Sequence, residues 1–268
     1  MRSVAVMRSV ATIAALLFLL VGCAGSGKDK DETIGWSAEK LYTEARAAMS
    51  DGTYDKAIKY FEKLESRYPY GRYAQQAQLE AAYAYYKQGE AASSVAACDR
   101  FIRLHPNHPN VDYAYYLKGL ANFNEDLGIF GNVTGQDQSQ RDPKAARDSF
   151  NAFKELVTKF PNSKYTPDSV ARMLYLSNFL AAHDVAVANY YYRRGAYVAA
   201  ANRANQVIKQ FPNSPSTQKA VLLMIRSYDA LGITELRDDS IRIFKLNFPK
   251  DDYATMLLEP EDPWWKLW

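Results

Sequence analysis

From residue 36 onward, apolar side chains recur every three or four residues, which is the spacing of one face of an α-helix. The apolar segments end at an aromatic residue or histidine followed by proline: Tyr68-Pro69, His105-Pro106, Phe160-Pro161, Phe211-Pro212 and Phe248-Pro249. These prolines are 37, 55, 51 and 37 residues apart. Because no strand-like alternation competes with the helical spacing, the pattern predicts an all-α chain of stacked helical hairpins.

The first hairpin shows the pattern most clearly. A small residue, Ala45, is followed by a turn glycine, Gly52, and then by small and large apolar residues at Ala57 and Phe61. This arrangement resembles the tetratricopeptide repeat, in which small residues let two helices approach closely. We therefore predict an α-solenoid of five tetratricopeptide-like hairpins over residues 36–251, because a single hairpin cannot bury its apolar face alone.

Two of the hairpins are longer than the others. In the third, the extra residues between Leu127 and Arg141 are rich in Gly, Gln and Asp, so we predict an insertion loop. In the fourth, Val170 to Ala188 continues the helical pattern and predicts a long first helix. Three later helices have a polar residue before proline, which predicts a capping side chain ahead of the first helical position: Asp142-Pro143, Thr166-Pro167 and Ser214-Pro215.

The N-terminus has the features of a targeting segment. Arg2 and Arg8 precede an apolar run from Val10 to Val21, which is too short to span a bilayer comfortably. Leu20-Val21-Gly22-Cys23 resembles the lipobox of bacterial lipoproteins, in which cleavage precedes a cysteine that is then acylated with fatty acids such as palmitate. We expect residues 1–22 to be removed and Cys23 to be lipidated; an ordinary secretory signal with an incidental cysteine is the alternative.

The residues after the cysteine indicate where the lipoprotein is sorted. Residues 23–35 are rich in Gly, Ser, Lys, Asp and Glu, and we interpret them as a flexible lipidated tether. Ala24-Gly25 lacks the aspartate that the bacterial family pattern associates with retention in the inner membrane. The expected location is therefore the periplasmic face of the outer membrane, with the lipid as anchor.

Charge and composition exclude several classes of function. The chain has 33 basic and 30 acidic residues, and loss of Arg2 and Arg8 leaves 31 against 30, so no nucleic-acid partner is expected. Two cysteines and three histidines are too few for a disulfide scaffold or a metal cluster. Cys98 lies on the apolar face of a predicted helix, where we expect it to be buried and unreactive.

The sequence offers no catalytic constellation. His105 and His108 flank Pro106 at a helix end, so they do not form the i, i+4 pair that binds a metal. No Gly-x-Ser-x-Gly motif is present, and Cys98 has no histidine at a motif-like position. We therefore expect that the protein is not an enzyme. We also expect no metal site and no cofactor other than the lipid on Cys23.

The chain has 20 tyrosines, and many of them lie on the first helix of a predicted hairpin. In tetratricopeptide arrays this helix lines the concave face, so rigid aromatic side chains there suit an extended peptide ligand. The alternative is that the tyrosines only pack between helices. The predicted groove residues are Tyr42, Arg46, Tyr83, Tyr86, Lys87, Tyr113, Tyr116 and Phe123.

Several longer strings resemble a more specific family. They are Tyr68-Pro69-Tyr70-Gly71, the run from Phe101 to Pro109, Arg141-Asp142-Pro143, Tyr165-Thr166, and the run from Tyr190 to Ala196. With the lipobox, they make the chain similar to the BamD (ComL) family of outer-membrane assembly lipoproteins. The tail from 252 to 268, which is rich in Trp and Pro, matches nothing in this pattern; it either caps the last hairpin or contacts membrane headgroups or a partner.

The resemblance implies a non-catalytic role in β-barrel assembly. The implied partners are the periplasmic domains of BamA, accessory Bam lipoproteins and unfolded precursors of outer-membrane proteins. Arg194 matches the arginine of the family's Arg-Gly-Ala motif, which places Tyr192, Arg193 and Arg194 as candidates for BamA binding. Locally, Arg194 also fits as a cation at a helix C-terminus. The alternative function is a periplasmic scaffold lipoprotein that contacts peptidoglycan or another cell-envelope complex.

Overall fold

The structure is a computed structural model that describes residues 31–127 and 143–258. It divides into two units, residues 1–37 and 38–268. In the described part of the first unit, a turn is closed by the Asp31 carboxylate, which accepts hydrogen bonds from the Thr33 backbone N–H (3.1 Å) and hydroxyl (2.6 Å). The predicted leader at 1–22, Cys23, most of the insertion, Asp142 and residues 259–268 lie outside the described residues.

The described part of the second unit is helical. Its helices are α1 (Ala38–Ser50), α2 (Tyr54–Arg67), α3 (Arg72–Gln88), α4 (Ala91–Leu104), α5 (Val111–Leu127), α6 (Lys144–Lys159), α7 (Thr166–Arg193), α8 (Tyr197–Gln210), α9 (Ser216–Ala230), α10 (Thr234–Asn247) and α11 (Tyr253–Leu258). Each of these helices packs against the next, and α1, α3 and α5 also contact in sequence, as do α7 and α9. The predicted all-α class is confirmed, as is the long helix, which is α7.

The helices that precede the repeated prolines end in one way. The residue before each proline donates its N–H in a 2.8 Å hydrogen bond to the carbonyl four residues earlier. The donor residue has a φ between −128° and −131°. The proline that follows has no N–H and cannot extend the ladder. The accepting residues are buried apolar side chains: Leu64, Phe101, Leu156, Val207 and Phe244.

Small residues bring paired helices into close contact. Ala82 on α3 and Gly119 on α5 each present a carbonyl to a buried serine on the following helix, and both distances are 2.9 Å. The serines, Ser94 and Ser149, are 0% exposed, so these hydrogen bonds satisfy hydroxyls that water cannot reach. The sequence pattern of small residues therefore corresponds to backbone approach between the helices of a pair.

The approach is closest at Gly119, where a methyl group has no room. A Cβ placed on Gly119 would lie 2.4 Å from the ring of Phe153 on α6, which is itself fully buried. Phe153 belongs to a hydrophobic core that continues through Leu176 and Leu180 of α7 to Leu223 of α9. The absence of a side chain at Gly119 thus determines how deeply Phe153 enters the core.

Helix α7 carries a buried charge in its second half. The Asp184 side chain is only 2% exposed and lies 3.4 Å from Nη2 of Arg147 on α6 and 3.5 Å from Nη2 of Arg203 on α8. Two cations therefore compensate one buried carboxylate and connect three consecutive helices. The same helix ends before Gly195, whose φ of +75° favours glycine.

The prediction that Thr166 caps α7 is wrong. Its hydroxyl points backward and donates to the Phe160 carbonyl at 2.9 Å, and Thr217 makes the matching 2.8 Å bond to Phe211. Both threonines thereby hold the loop after the preceding proline instead of the first turn of their own helix. Ser214 does accept from a backbone N–H, that of Ser216, at 3.3 Å.

Cys98 is buried in α4, as predicted. Burial raises the pKa of its thiol to about 12, with a smaller contribution from the negative charge of Asp99. At neutral pH the thiol is therefore protonated, and the nucleophilic thiolate is scarce.

Helix α11 packs on the last pair of helices. Its Tyr253 ring lies 6.3 Å from that of Phe244 on α10, and Arg226 on α9 donates a 3.1 Å hydrogen bond to the Leu257 carbonyl. The first part of the predicted tail is thus a short helix that covers the apolar surface of α9 and α10.

We predict that Gly119→Ala destabilises the protein although alanine is the better helix former. The added methyl group must displace the Phe153 ring, so the free energy of unfolding should fall by about 1–2 kcal/mol after the gain in helix propensity. Chemical denaturation of the wild type, Gly119→Ala, Phe153→Leu and the double variant measures the coupling. Gly119→Ala should lower the free energy of unfolding less in the Phe153→Leu background than in the wild type. An equal decrease in both backgrounds would contradict the collision between the added methyl group and the Phe153 ring.

Candidate functional site

A cavity of about 520 Å³ opens across successive helices of the second unit. It is lined by Arg46, Met49, Ser50, Gln76, Leu79, Glu80, Tyr83, His108, Asn110, Tyr113 and Tyr165. These residues come from α1, α3, the loop before α5, α5 itself, and the residue before α7. The cavity therefore lies on the side formed by the first helix of each pair, and a ligand in it would cross several helices.

An ion pair lies at one end of the cavity. Arg46 Nη1 on α1 donates to Glu80 Oε1 on α3 at 2.6 Å, and the arginine side chain is 50% exposed whereas the carboxylate is 14% exposed. Burial and the charge of Glu80 raise the pKa of Tyr42, which stays a neutral hydroxyl. The cationic group thus faces the solvent side of the cavity, while its counterion is held against the helices.

Three tyrosines, Tyr83, Tyr113 and Tyr165, also line the cavity. The Tyr113 ring lies 5.5 Å from that of Tyr165, which in turn stacks on Tyr116 at 4.7 Å with the planes inclined by 17°. Tyr83 lies 6.3 Å from Tyr86. Burial strongly raises the pKa of Tyr113, so its hydroxyl remains a neutral hydrogen-bonding group. These tyrosines provide apolar area and hydroxyl groups together.

His108 closes the cavity from the loop before α5. Its ring meets Phe101 edge-on with the centroids 5.1 Å apart, and burial together with the neighbouring His105 lowers its pKa. The imidazole is therefore mainly neutral at neutral pH. Its Nδ1 accepts a 3.1 Å hydrogen bond from the Asn110 backbone N–H, which fixes the loop.

The structure gathers only some of the predicted groove residues around this cavity. Arg46, Tyr83 and Tyr113 line it, and Tyr86 stands behind Tyr83. The other predicted residues lie apart from the lining: Tyr42 packs on Phe61 and Tyr73, Tyr116 on Tyr165 and Phe153, and Phe123 on Tyr175, while Lys87 is exposed in the last turn of α3.

Sequence reasoning missed eight of the eleven lining residues, among them Tyr165, Glu80 and Gln76. Tyr165 precedes α7, so a prediction built on positions inside helices does not include it in the groove. Glu80 and Gln76 lie one and two turns from Tyr83 on α3. Their helical spacing from a predicted groove residue was a signal that could have identified them.

The residues predicted for BamA binding occupy the end of α7. Tyr192 is half-buried and packs on Tyr197 at 5.3 Å, whereas Arg193 and Arg194 are exposed. The Arg194 guanidinium lies 5.6 Å from the centre of the Tyr190 ring, and its Nε donates to the Tyr190 hydroxyl at 3.3 Å. The exposed surface thus combines a cation with Tyr190, a residue absent from the prediction.

Metal-binding groups and membrane-spanning helices are both absent from the described residues. Within 31–127 and 143–258, no three His, Cys, Asp or Glu side chains are grouped so that they could hold a metal ion. Among the helices of these same ranges, none combines the length and apolar character needed to cross a bilayer.

Known proteins resemble this chain over most of its length. The model of the YfiO family, described as outer membrane lipoprotein, matches residues 36–243. The outer membrane protein assembly factor BamD of Neisseria meningitidis serogroup A is 45% identical over 266 residues, which cover 98% of this chain and 100% of that protein. BamD of Vibrio cholerae is 36% identical over 231 residues, which cover 86% of this chain and 95% of that protein.

Among solved structures, a kinesin light chain of Podosopora anserina with nearly identical TPR-like repeats is 15% identical, with a TM-score of 0.37 and coverage of 80% of this chain and 96% of that one. The match of the family model and the identity with BamD proteins over almost the full length both exceed what a shared helical repeat requires. The chain belongs to the YfiO family of outer membrane lipoproteins, together with the BamD assembly factors.

Proposed function

We propose that this chain is a non-catalytic lipoprotein of the β-barrel assembly machinery, which binds BamA and unfolded barrel precursors at the periplasmic face of the outer membrane. The observation that carries the proposal is the cavity lined by tyrosines from successive helices. An extended precursor segment has apolar side chains and unpaired backbone groups, and the cavity offers a surface for both. Family membership and the BamD relatives support the same role.

The framework of this activity is an array of five tetratricopeptide-like hairpins within residues 36–251. Five described helices, α2, α4, α6, α8 and α10, end before proline with the same hydrogen bond, which supports five units. In the third unit, α5 ends at Leu127 and α6 begins at Lys144, which supports an insertion loop between Leu127 and Arg141. The proposed tail, 252–268, begins with α11.

The chemistry of the cavity favours a neutral, extended peptide. Gln76 and Asn110 have amide groups that can both donate to and accept from a peptide backbone, and the tyrosine hydroxyls can do the same. The charges of Arg46 and Glu80 compensate each other at 2.6 Å. Contacts of shape and apolar area therefore dominate over long-range attraction.

A second surface is proposed for BamA. Arg194 and Tyr190 are exposed together at the end of α7, and the ring beneath the guanidinium keeps the cation oriented. Arg193 is the exposed neighbour, whereas Tyr192 acts by packing on Tyr197 and supporting the helix end. Accessory Bam lipoproteins are further partners that the family implies.

Membrane attachment is proposed to occur through Cys23. Acyl chains on this cysteine contribute about 0.8 kcal/mol for each buried CH₂ group, so several chains anchor a protein stably. The proposed tether of residues 23–35 then connects the lipid to the helical array. Removal of residues 1–22 by signal cleavage is part of the same proposal.

We predict that Tyr83→Ala weakens binding of a precursor peptide. The probe is a fluorescein-labelled ten-residue peptide with alternating apolar and polar residues and a C-terminal phenylalanine. Because the substitution removes an aromatic side chain that contacts the peptide, the Kd of the peptide should rise about tenfold, as measured by fluorescence anisotropy. Tyr190→Ala is the control, since that tyrosine is exposed outside the cavity. Unchanged affinity of Tyr83→Ala, with an unchanged melting temperature, would exclude the cavity as the peptide site.

We also predict that Arg194→Ala reduces affinity for the purified periplasmic domains of BamA. Loss of the oriented guanidinium should raise the Kd about tenfold in a titration by surface plasmon resonance. Arg103→Ala, which removes an exposed cation from the end of α4, should leave the Kd within about twofold of the wild-type value. If both variants bind BamA like the wild type, Arg194 has only its local role at the helix end.

A further inference from the structure

The first half of α7 exposes an apolar face. Val170 is 50% exposed, Leu174 61% and Tyr175 44%, and Pro167 and Ala171 lie exposed beside them. These five residues, which we call the α7 stripe, follow one side of the helix for more than two turns. Several adjacent exposed apolar side chains on one helix face are typical of an interaction surface, whereas single ones are common anywhere.

None of the five stripe residues carries a charge. The nearest charged side chains on α7, Asp168 and Arg172, are paired with each other at 2.6 Å. Burial opposes ionisation of Asp168, but hydrogen bonds from Arg172 and the Tyr116 hydroxyl outweigh it and lower the pKa of this carboxyl. The pair is therefore ionised and internally compensated at neutral pH, and it offers neither sign of charge to a ligand on the stripe.

Aromatic contacts connect the stripe to the cavity. Tyr165 lines the cavity and stacks on Tyr116, whose hydroxyl donates to Asp168 at 2.7 Å. Farther along, Arg172 lies 4.9 Å from the centre of the Phe123 ring, and Phe123 lies 5.7 Å from Tyr175. A chain of side-chain contacts between α5 and α7 thus leads from Tyr165 in the cavity to Tyr175 in the stripe.

We propose that the α7 stripe is a second peptide subsite, which receives alternate apolar side chains of the same unfolded precursor segment. This inference rests on the proposed function. The stripe selects extended segments in which apolar and polar residues alternate, whereas the cavity binds an aromatic side chain. Val170, Leu174 and Tyr175 are the residues that determine this selectivity.

The dimensions of a strand fit those of the stripe. One turn of an α-helix rises about 5.4 Å, and side chains on one side of a strand repeat about every 6.7 Å. Over two turns the difference is about 2–3 Å, which flexible side chains can accommodate. Strands of outer-membrane barrels place an apolar side chain at every second position, because one face of the barrel contacts lipid. Three such side chains can therefore contact successive turns of α7.

The neutrality of the stripe favours this occupant over a charged one. A charged segment would lose its hydration on the stripe without finding an opposite charge there. A strand whose polar side chains point to solvent while its apolar side chains contact Val170 and Leu174 avoids that loss. A second copy of this chain could also cover an apolar face, and the test includes that outcome.

The experiment uses the mature full chain in detergent with three labelled peptides. The short peptide has four residues and ends in phenylalanine, so it reaches only the cavity. The alternating peptide extends it by eight residues in which valine and serine alternate. The block peptide has the same composition with valines and serines grouped. Binding is measured by anisotropy for the wild type, Val170→Glu, Leu174→Glu and Leu246→Glu, the last being a control for an exposed leucine on α10 that is 75% accessible.

We expect the alternating peptide to bind the wild type about tenfold more tightly than the block peptide. Leu174→Glu and Val170→Glu should each remove this difference while the Kd of the short peptide stays within about twofold of the wild-type value. Leu246→Glu should change neither value. Since the substituted residues are exposed, matching melting temperatures show that the variants are folded.

Other results would overturn the inference. Equal affinity of the alternating and block peptides, or equal binding by the wild type and both α7 variants, would show that the stripe is not a peptide subsite. A wild-type dimer in sedimentation that Leu174→Glu converts to a monomer would assign the stripe to self-association. If the short peptide does not bind the wild type, the proposal that the cavity binds peptides is wrong as well. If the short peptide binds normally, only the proposal for the stripe is wrong.

Discussion

Close packing between a small residue on one helix and a large buried side chain on the next is the constraint on which this structure depends. At Gly119 the constraint is most severe, because even a methyl group would collide with Phe153. At Ala82 on α3 the helices also approach closely, because the Ser94 hydroxyl of α4 donates a hydrogen bond to the Ala82 carbonyl. A hairpin packed this closely still has an apolar face exposed, so it is stable only against its neighbours.

The functional surface follows from that packing. The first helices of the pairs contribute buried core residues such as Leu41 and Leu117, and they also carry Tyr83 and Tyr113, which line the cavity. Tyr113 from α5 can then reach Tyr165 before α7, so that side chains distant in sequence lie next to each other in the cavity lining. Helix packing supplies most of the cavity lining, and His108, Asn110 and Tyr165 complete it from outside the helices.

Helix type, helix ends and small residues could be predicted because they depend on local chemistry. Each of the five repeated prolines follows the end of a helix, because proline cannot continue the backbone hydrogen bonds. Cys98 lies among the apolar positions of its helix, so its burial could also be predicted. The cavity could be predicted only in part. Tyr42 turns toward Phe61, and Tyr165 enters from a turn, because helix crossing angles and side-chain rotamers decide such contacts. The spacing of residues within one helix does not determine its crossing angle with another helix or the rotamers of its side chains.

The central claim is that this lipoprotein works as part of the β-barrel assembly machinery through direct contact with BamA. The most direct measurement is affinity purification of the tagged chain from detergent-solubilised outer membranes, with quantitative mass spectrometry of what accompanies it. We expect BamA in a ratio close to one per chain. Recovery of the intact, membrane-bound chain without BamA, or with cell-wall material in its place, would contradict it.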